Sequence, residues 1–394
     1  MLDLMSLRAD TPGVQHVAHF NNAGASLMPQ SVVDAITKHI ILEAEIGGYE
    51  AAAVRKDAIR GFYTATAELL NTTADHIAAT ANATDAYARA LSAIPFQRGD
   101  VILTTINDYV SNQIAFLSLR KRVGIEIVRA ADDVAGGVSV EDMADKIKSL
   151  RPRLVAVTHV PTNSGLIQPV EAIGQFCREY DVLYLVDACQ SVGQLPVDIS
   201  QIHCDFLTAT CRKFLRGPRG MGFLYVSDKV LSRNMAPLFV DLHGASWESA
   251  DTFRLEPTAQ RFEDWEFPHA LVLGAAEAHR YALTVGIKAI AERDAELCVL
   301  LRRQLAQLPG VRLLDEGEHL SSIITLVSER KSATDLKAGL TTERINTSLS
   351  GHGAAILDFD RKGMLTTALR ISPHYFNTED EISTLVDTLH RLLA

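Results

Sequence analysis

Two stretches of the sequence set an acid and an amine where chemistry can use them. "LYLVDACQ" runs apolar from Leu183 and ends on Asp187, and "CDFLTATCRKFLRGPRGMG" places Lys213 after a second apolar run and before a group of glycines. A carboxylate alone in such a place caps the following turn, and a lysine alone is a solvated charge. Together, at neighbouring strand ends, they match a cofactor with a ring nitrogen to keep protonated and an aldehyde to capture. An ordinary lysine, with a pKa of about 10.4, is neutral in roughly one molecule in 2,500 at pH 7, and Schiff-base chemistry needs it neutral. Arg212 beside it, with Arg216 and Arg219 close in sequence, would supply the positive field that lowers its pKa.

These residues need a frame. "VILTT", "IEIVR", "RLVAVTHV", "VLYLVDA", "CDFLTAT" and "GFLYV" are short apolar runs rich in β-branched residues. Helical segments such as "SNQIAFLSLRKR", "SVEDMADKIKSL" and "PVEAIGQFCREY" lie between several of them. Alternation of this kind predicts an α/β fold with a large, mainly parallel sheet covered by helices. Ligands gather at the carboxyl ends of the strands of such a sheet, so Asp187 and Lys213 would open onto one crevice. The pattern changes near residue 250, where "DTFRLEPTAQRFEDWEF" reads as irregular; a long helical stretch and a small α+β unit follow. The expected organisation is an N-terminal segment (1–18) associated with the small unit, a large cofactor-binding domain (19–250) and a smaller α+β domain (251–394).

Composition narrows the function classes. The 394 residues are 47% hydrophobic and carry a formal net charge of −10, which disfavours nucleic acid as a partner. The five cysteines form no CxxC pair and sit in apolar runs, as reduced core thiols of a cytoplasmic protein do. No run has the length of a membrane span, the N-terminal stretch lacks a signal-like apolar region, and no metal-ligand spacing is visible. A soluble cytoplasmic enzyme is the expectation.

On "VDACQSVGQLPVD" followed by "TCRKFLRGPRGMGFLYV", the chain resembles the class V aminotransferase family of pyridoxal-phosphate enzymes across nearly its whole length. The resemblance implies the aspartate-aminotransferase-like architecture (fold type I), pyridoxal 5'-phosphate as cofactor, an amino-acid substrate and a homodimer. It implies that Lys213 carries the cofactor, that Asp187 pairs with the pyridinium nitrogen, and that Gln190 bonds the phenolic oxygen. "ATANATDAYARAL" resembles the family's phosphate turn, with Ala83 and Thr84 offering N–H groups at a helix start and the hydroxyls of Thr84 and Thr210 added; the usual glycine is Asn82 here. Tyr109 in "NDYVSN" takes the place of the histidine that stacks on the ring in cysteine desulfurases, and Thr162 in "HVPTNSG" stands where the family often has asparagine. Arg370 in "ALRISPHYFNTEDEI" would clamp the substrate carboxylate, and Asn22 in "FNNAGASLMP" would face the substrate. Arg212 joins the cofactor set, and Tyr49 is a candidate for reaching substrate or leaving group.

The reaction is narrowed by what is missing. Cysteine desulfurases use a mobile cysteine on a small-domain loop; here "ERINTSLSGHGAAILDFD" has none, and no cysteine follows Cys298. Strings such as "EAEIGGYEAA" and "RFEDWE", and the spacer in "KFLRGPRG", are similar to those of hercynylcysteine sulfoxide lyases and isopenicillin N epimerase-like proteins. The expected activity is therefore C–S β-elimination without a persulfide cysteine. An epimerase or racemase and an aminotransferase are the alternatives, and a non-enzymatic homologue is the remote one.

Overall fold

The structure, a computed structural model, describes residues 2–364 and 367–394. Seven strands form the main sheet: β1 (Ile77–Thr80), β2 (Val101–Thr104), β3 (Glu126–Arg129), β4 (Leu154–Thr158), β5 (Leu183–Asp187), β6 (Phe206–Thr210) and β7 (Gly222–Val226). Their spatial order is β1-β7-β6-β5-β4-β2-β3. β6, β5, β4, β2 and β3 pair in parallel, whereas β7 runs antiparallel to both of its neighbours, β6 and β1. Every residue of β4 to β7 is buried, as an apolar strand covered by helices on both faces must be. One face packs Met143, Ile173 and Val272 over the sheet, and the other packs Ala86, Phe116 and Phe262.

A second, antiparallel sheet has β8 (Val311–Leu313), β9 (Ile324–Ser328), β10 (Ser348–Ser350) and β11 (Ala368–Ile371) in the order β8-β9-β11-β10. Its core joins Ile324, Leu326, Leu369 and Ile371 to Leu301, Leu336 and Leu385 from the helices Ile287–Leu305, Ala333–Thr342 and Glu379–Leu393. The N-terminal segment belongs to this part of the molecule. Leu2, Leu7 and Val14 pack with Ile290, Tyr375 and Phe376, and Arg8 pairs with Glu381 at 3.0 Å. The short strand Ala18–His19 pairs in parallel with Ile345–Asn346.

Packing divides the chain elsewhere than at the expected boundary near 250. Ala259 and Phe262 lie in one core of the main sheet, and Val272, Ala275, Ala276 and Ala282 of the helix His269–Val285 lie in the other. Small residues let that helix sit close to the helices Gln30–Ile46 and Lys56–Leu70, so the small unit's own packing begins with the helix after Gly286. The stretch expected to be irregular opens with the second strand of a hairpin, Ala245–Ser249 with Thr252–Leu255, whose Trp247 and Phe253 are exposed. No described helix is long and apolar enough to cross a membrane.

Candidate cofactor site

The carboxyl ends of β4, β5 and β6 open onto a cavity of about 290 Å³. Asp187 is the last residue of β5, opposite Thr158 on β4 and Thr208 on β6, so the ladder itself sets where its side chain emerges. Lys213 lies in the connection from β6 to β7, which folds back because β7 reverses direction. Cys211 N–H bonds Met221 O at 3.0 Å and Gly217 N–H bonds Cys211 O at 2.7 Å, closing that connection at its base. Lys213 is only 6% exposed. Burial is the main cause that lowers its pKa; Arg212 and Arg370 push the same way, against Cys189 and Asp187. Arg216 plays no part there. It has φ +60°, stacks on Phe376 and donates to Thr11 and Tyr375, because its guanidinium is drawn into the seam with the N-terminal segment.

Both Asp187 oxygens have donors. Cys189 N–H reaches Oδ1 and Asn112 Nδ2 reaches Oδ2, each at 3.0 Å. Gln190 donates from Nε2 to Ala23 O at 3.1 Å, and its Oε1 is buried without a partner. Tyr109 and Thr162 also line the cavity.

At the other end of the cavity stands the helix Ala83–Ala93. Its N-cap is Asn82, whose side chain accepts from Asp85 N–H at 2.9 Å. The N–H groups of Ala83 and Thr84, in the first turn, have no intrahelical acceptor and are left for an anion. Gly222 makes this approach possible: a Cβ there would lie 2.8 Å from Asn82 C and 2.9 Å from Ala83 N. Thr84 is exposed at the cavity edge, while the Thr210 hydroxyl donates to Met221 O at 3.3 Å.

Two guanidinium groups flank the amine. Arg212 donates to Gly24 O, and Arg370 Nη1 donates to Thr162 O at 3.2 Å. Among the described residues neither forms a salt bridge, and Arg370 Nε is buried without any partner. Burial, with Arg212 adding to it, lowers Arg370 from its ordinary value to about 10. Such a pair has the charge and the free donors to receive a carboxylate.

Two expected residues lie elsewhere. Asn22 is fully buried and spent on structure: Nδ2 donates to Ser372 O at 2.8 Å and Oδ1 accepts from Ser26 Oγ at 2.6 Å. Tyr49 is 75% exposed and lines a separate cleft with Glu43, Trp265 and His269. The sequence reading passed over Asp108, Asn112 and Thr158, which form a buried polar network behind Asp187. Burial pushes the Asp108 carboxyl up, against the donors that surround it. Their signal was present in "NDYVSN", where an acid and an amide stand four residues apart.

The residues present fit pyridoxal phosphate: a buried amine of lowered pKa, a carboxylate fixed at a strand end, an unpartnered amide oxygen beside it, and free N–H groups at a helix start. The family model described as Aminotransferase class-V matches residues 18–385. The chain belongs to this family. Class V aminotransferases depend on pyridoxal phosphate, and a solved relative, a mutant of the protein called C-DES, has glycine covalently linked to that cofactor (TM-score 0.87, 23% identical, covering 97% of this chain and 98% of that one). A probable cysteine desulfurase of Methanothermobacter thermautotrophicus is 28% identical over 98% of this chain and 97% of its own length. The corresponding protein of Pyrococcus abyssi is 26% identical with the same coverage. The apo structure of cysteine desulfurase from Thermococcus onnurineus NA1 superposes with a TM-score of 0.91, at 24% identity, over 100% of this chain and 98% of that one. The fold is thus fold type I, as expected for a class V enzyme.

Proposed function

We propose that this class V enzyme cleaves the Cβ–S bond of an amino acid by β-elimination, without passing sulfur to a protein cysteine. The observation that carries the reading is the state of its thiols. Cys177, Cys204, Cys211 and Cys298 are buried. Cys189, the remaining one, sits on the cavity wall next to Asp187, and burial raises its pKa, so it is held as a thiol rather than as a nucleophilic thiolate. The small-unit segment that would carry a mobile cysteine is instead latched. The helix Ile356–Arg361 presents Asp358, which is buried and accepts from Asn163 Nδ2 at 2.6 Å, Arg361 at 3.0 Å and Lys362 at 3.0 Å. The desulfurase names of the relatives agree with removal of sulfur from an amino acid. Another protein of this fold is named a cystine C–S lyase in complex with its product cysteine persulfide (TM-score 0.86, 24% identical, covering 96% of this chain and 99% of that one).

Each residue then has a task. Arg370, with Arg212 near it, receives the substrate α-carboxylate, which supplies the charge match that the empty guanidinium pair lacks. Lys213, whose amine burial keeps closer to neutrality, takes the proton from Cα. Bound pyridoxal phosphate supplies the sink for the electron pair left at Cα, and Asp187 keeps its ring nitrogen protonated. Gln190 and Tyr109 would border the ring, and the N–H groups of Ala83 and Thr84 would hold the phosphate. The Cβ–S bond breaks with its electrons on sulfur, and the released 2-aminoacrylate takes up water to give pyruvate and ammonia. A homodimer is part of the proposal: Ile40, Ile41, Trp247, Phe253 and Trp265 are large apolar side chains left exposed, which a second copy would cover.

The test is incubation of the cofactor-loaded protein with cysteine, cystine, cysteine S-conjugates and their sulfoxides. Pyruvate and ammonia in equal amounts, with no persulfide on the protein by mass, is the expected result. Exchange of the Cα hydrogen for deuterium without elimination would replace this reading by epimerisation, and formation of an amino acid from a keto acid would replace it by transamination.

A further inference from the structure

The side chain of an aspartate turns easily about its last bond, so a carboxylate that must meet a ring nitrogen needs something to hold its direction. At Asp187 the two holders differ in kind. Cys189 N–H belongs to the turn that follows β5 and comes with the fold, whereas Asn112 Nδ2 is a side chain from the neighbouring helix Val110–Val123. Asn112 is itself pinned. The two hydrogens of its Nδ2 are matched by two carboxylate acceptors, Asp187 Oδ2 and Asp108 Oδ1, both at 3.0 Å. Asp108 is pinned in turn by Thr158 Oγ1 at 2.5 Å, Gln113 Nε2 at 2.7 Å and the N–H of Tyr109 at 2.7 Å. Thr158 is the ladder partner of Asp187 across β4 and β5.

We propose that Asp108 and Asn112 are positioning residues that act as one relay, setting the aim of the Asp187 carboxylate and the placement of Tyr109 in the cofactor cavity. The closed circuit Asp187–Asn112–Asp108–Thr158 returns to the strand next to its starting point, so no member can turn without breaking a bond to a buried neighbour. Two buried carboxylates separated by one amide are an expensive way to fill a core. Only Asp187 and Tyr109, the two ends of the relay, together with Thr158, face the cavity. A frame that served packing alone would be met by apolar side chains of the same volume. The arrangement makes sense as a device that holds a charge in a chosen direction.

This inference rests on the pyridoxal-phosphate dependence of the family and is independent of the lyase reading, because its readouts need no substrate. Asn112→Leu removes both donors at nearly constant volume, and Asp108→Asn loosens Asn112 without touching Asp187. Each variant is loaded with pyridoxal phosphate labelled with 15N in the ring. The ring-nitrogen resonance, the dissociation constant of the cofactor and the melting temperature are then measured. In Asn112→Leu the resonance should move towards the unprotonated range and cofactor binding should weaken roughly 10- to 150-fold, the usual weight of a hydrogen bond to a charged group. Asp108→Asn should shift both readouts in the same direction by less, and it carries the test alone if Asn112→Leu does not fold. A parental resonance and affinity in folded variants, whether or not the melting temperature has changed, would overturn the proposal and leave the network a structural one.

Discussion

Arg370 is expected to cost stability in return for substrate binding, and the size of that cost can be worked out. It is 9% exposed, its charge meets no carboxylate among the described residues, and burial lowers its pKa from the ordinary guanidinium value to about 10. At about 1.36 kcal/mol per pKa unit, that difference amounts to roughly 3 kcal/mol of penalty on the charged form. The folded pKa lies below the unfolded one, so the unfolded chain holds this proton more tightly. The penalty is fully present at neutral pH and is relieved only as the pH rises from about 10 towards the ordinary guanidinium value. Arg370→Met keeps most of the volume and removes the charge, while giving up the bond to Thr162 O, worth about 1 kcal/mol. The substrate-free protein should therefore gain about 1–3 kcal/mol, seen as a melting temperature higher by a few degrees. The same variant loses a two-pronged charge-assisted contact to the α-carboxylate, and kcat/KM on any productive amino acid should fall by roughly 10² to 10⁴. Calorimetry of the cofactor-loaded protein and initial rates over a substrate series measure the two effects. A lower melting temperature, or an unchanged kcat/KM, refutes the reasoning.

Other perturbations test other parts of the structure. Gly222→Ala puts a Cβ within 2.9 Å of three backbone atoms, those of Ala209 O, Asn82 C and Ala83 N, so the helix start must retreat from β7. The expected result is about 1–3 kcal/mol lower stability together with weaker cofactor binding, measured by fluorescence titration of the apoprotein. Asp358→Ala strips an acceptor from buried Asn163, while Arg361 and Lys362 keep Glu316, and should cost roughly 1–3 kcal/mol in a urea titration. Asp132 has its carboxyl raised to about 6 by burial, with Arg361 opposing. An acid raised on folding is destabilising above its folded pKa and harmless below its unfolded one. Asp132→Asn should therefore gain more, relative to the parent, at pH 8 than at pH 5, as paired thermal melts at the two pH values will show.

The cavity end of the sheet was legible in the sequence for a physical reason. Asp187 and Lys213 sit at the ends of strands buried on both faces, and such strands write themselves as unbroken apolar runs whose limits are easy to see. Ala83 and Thr84 were legible for a related reason, since a turn of small residues before an amphipathic stretch marks a helix start. What failed to show was anything set by contact between distant segments. Asn112 reads as one more polar residue on a helix, and only the meeting of that helix with β5 makes it a partner of Asp187. Arg216 reads as a neighbour of Lys213, but a backbone turn at φ +60° sends it the other way. Asn22 and Tyr49 were placed near substrate by their strings alone; the bond from Asn22 to Ser372, 350 positions away, and the exposure of Tyr49 depend on how remote segments meet. The boundary near 250 was drawn where the periodicity changes, yet the helix His269–Val285 packs by its small residues against helices from the first 70 positions.

The docking of the N-terminal segment has a consequence for how the molecule is made. Leu2, Leu7 and Val14 rest on Ile290, Tyr375 and Phe376, and Ala18–His19 pairs with Ile345–Asn346. On the ribosome, at about 5–20 residues per second, 394 residues take roughly 20–80 s to emerge. For most of that time the segment from Leu2 to Val14 lacks the Tyr375 and Phe376 part of its docking surface, although the main sheet can already close around residues 62–282. The segment from Leu2 to Val14 is thus among the last parts to find its place, and the nascent protein must carry it as an open apolar stretch until Tyr375 and Phe376 are out.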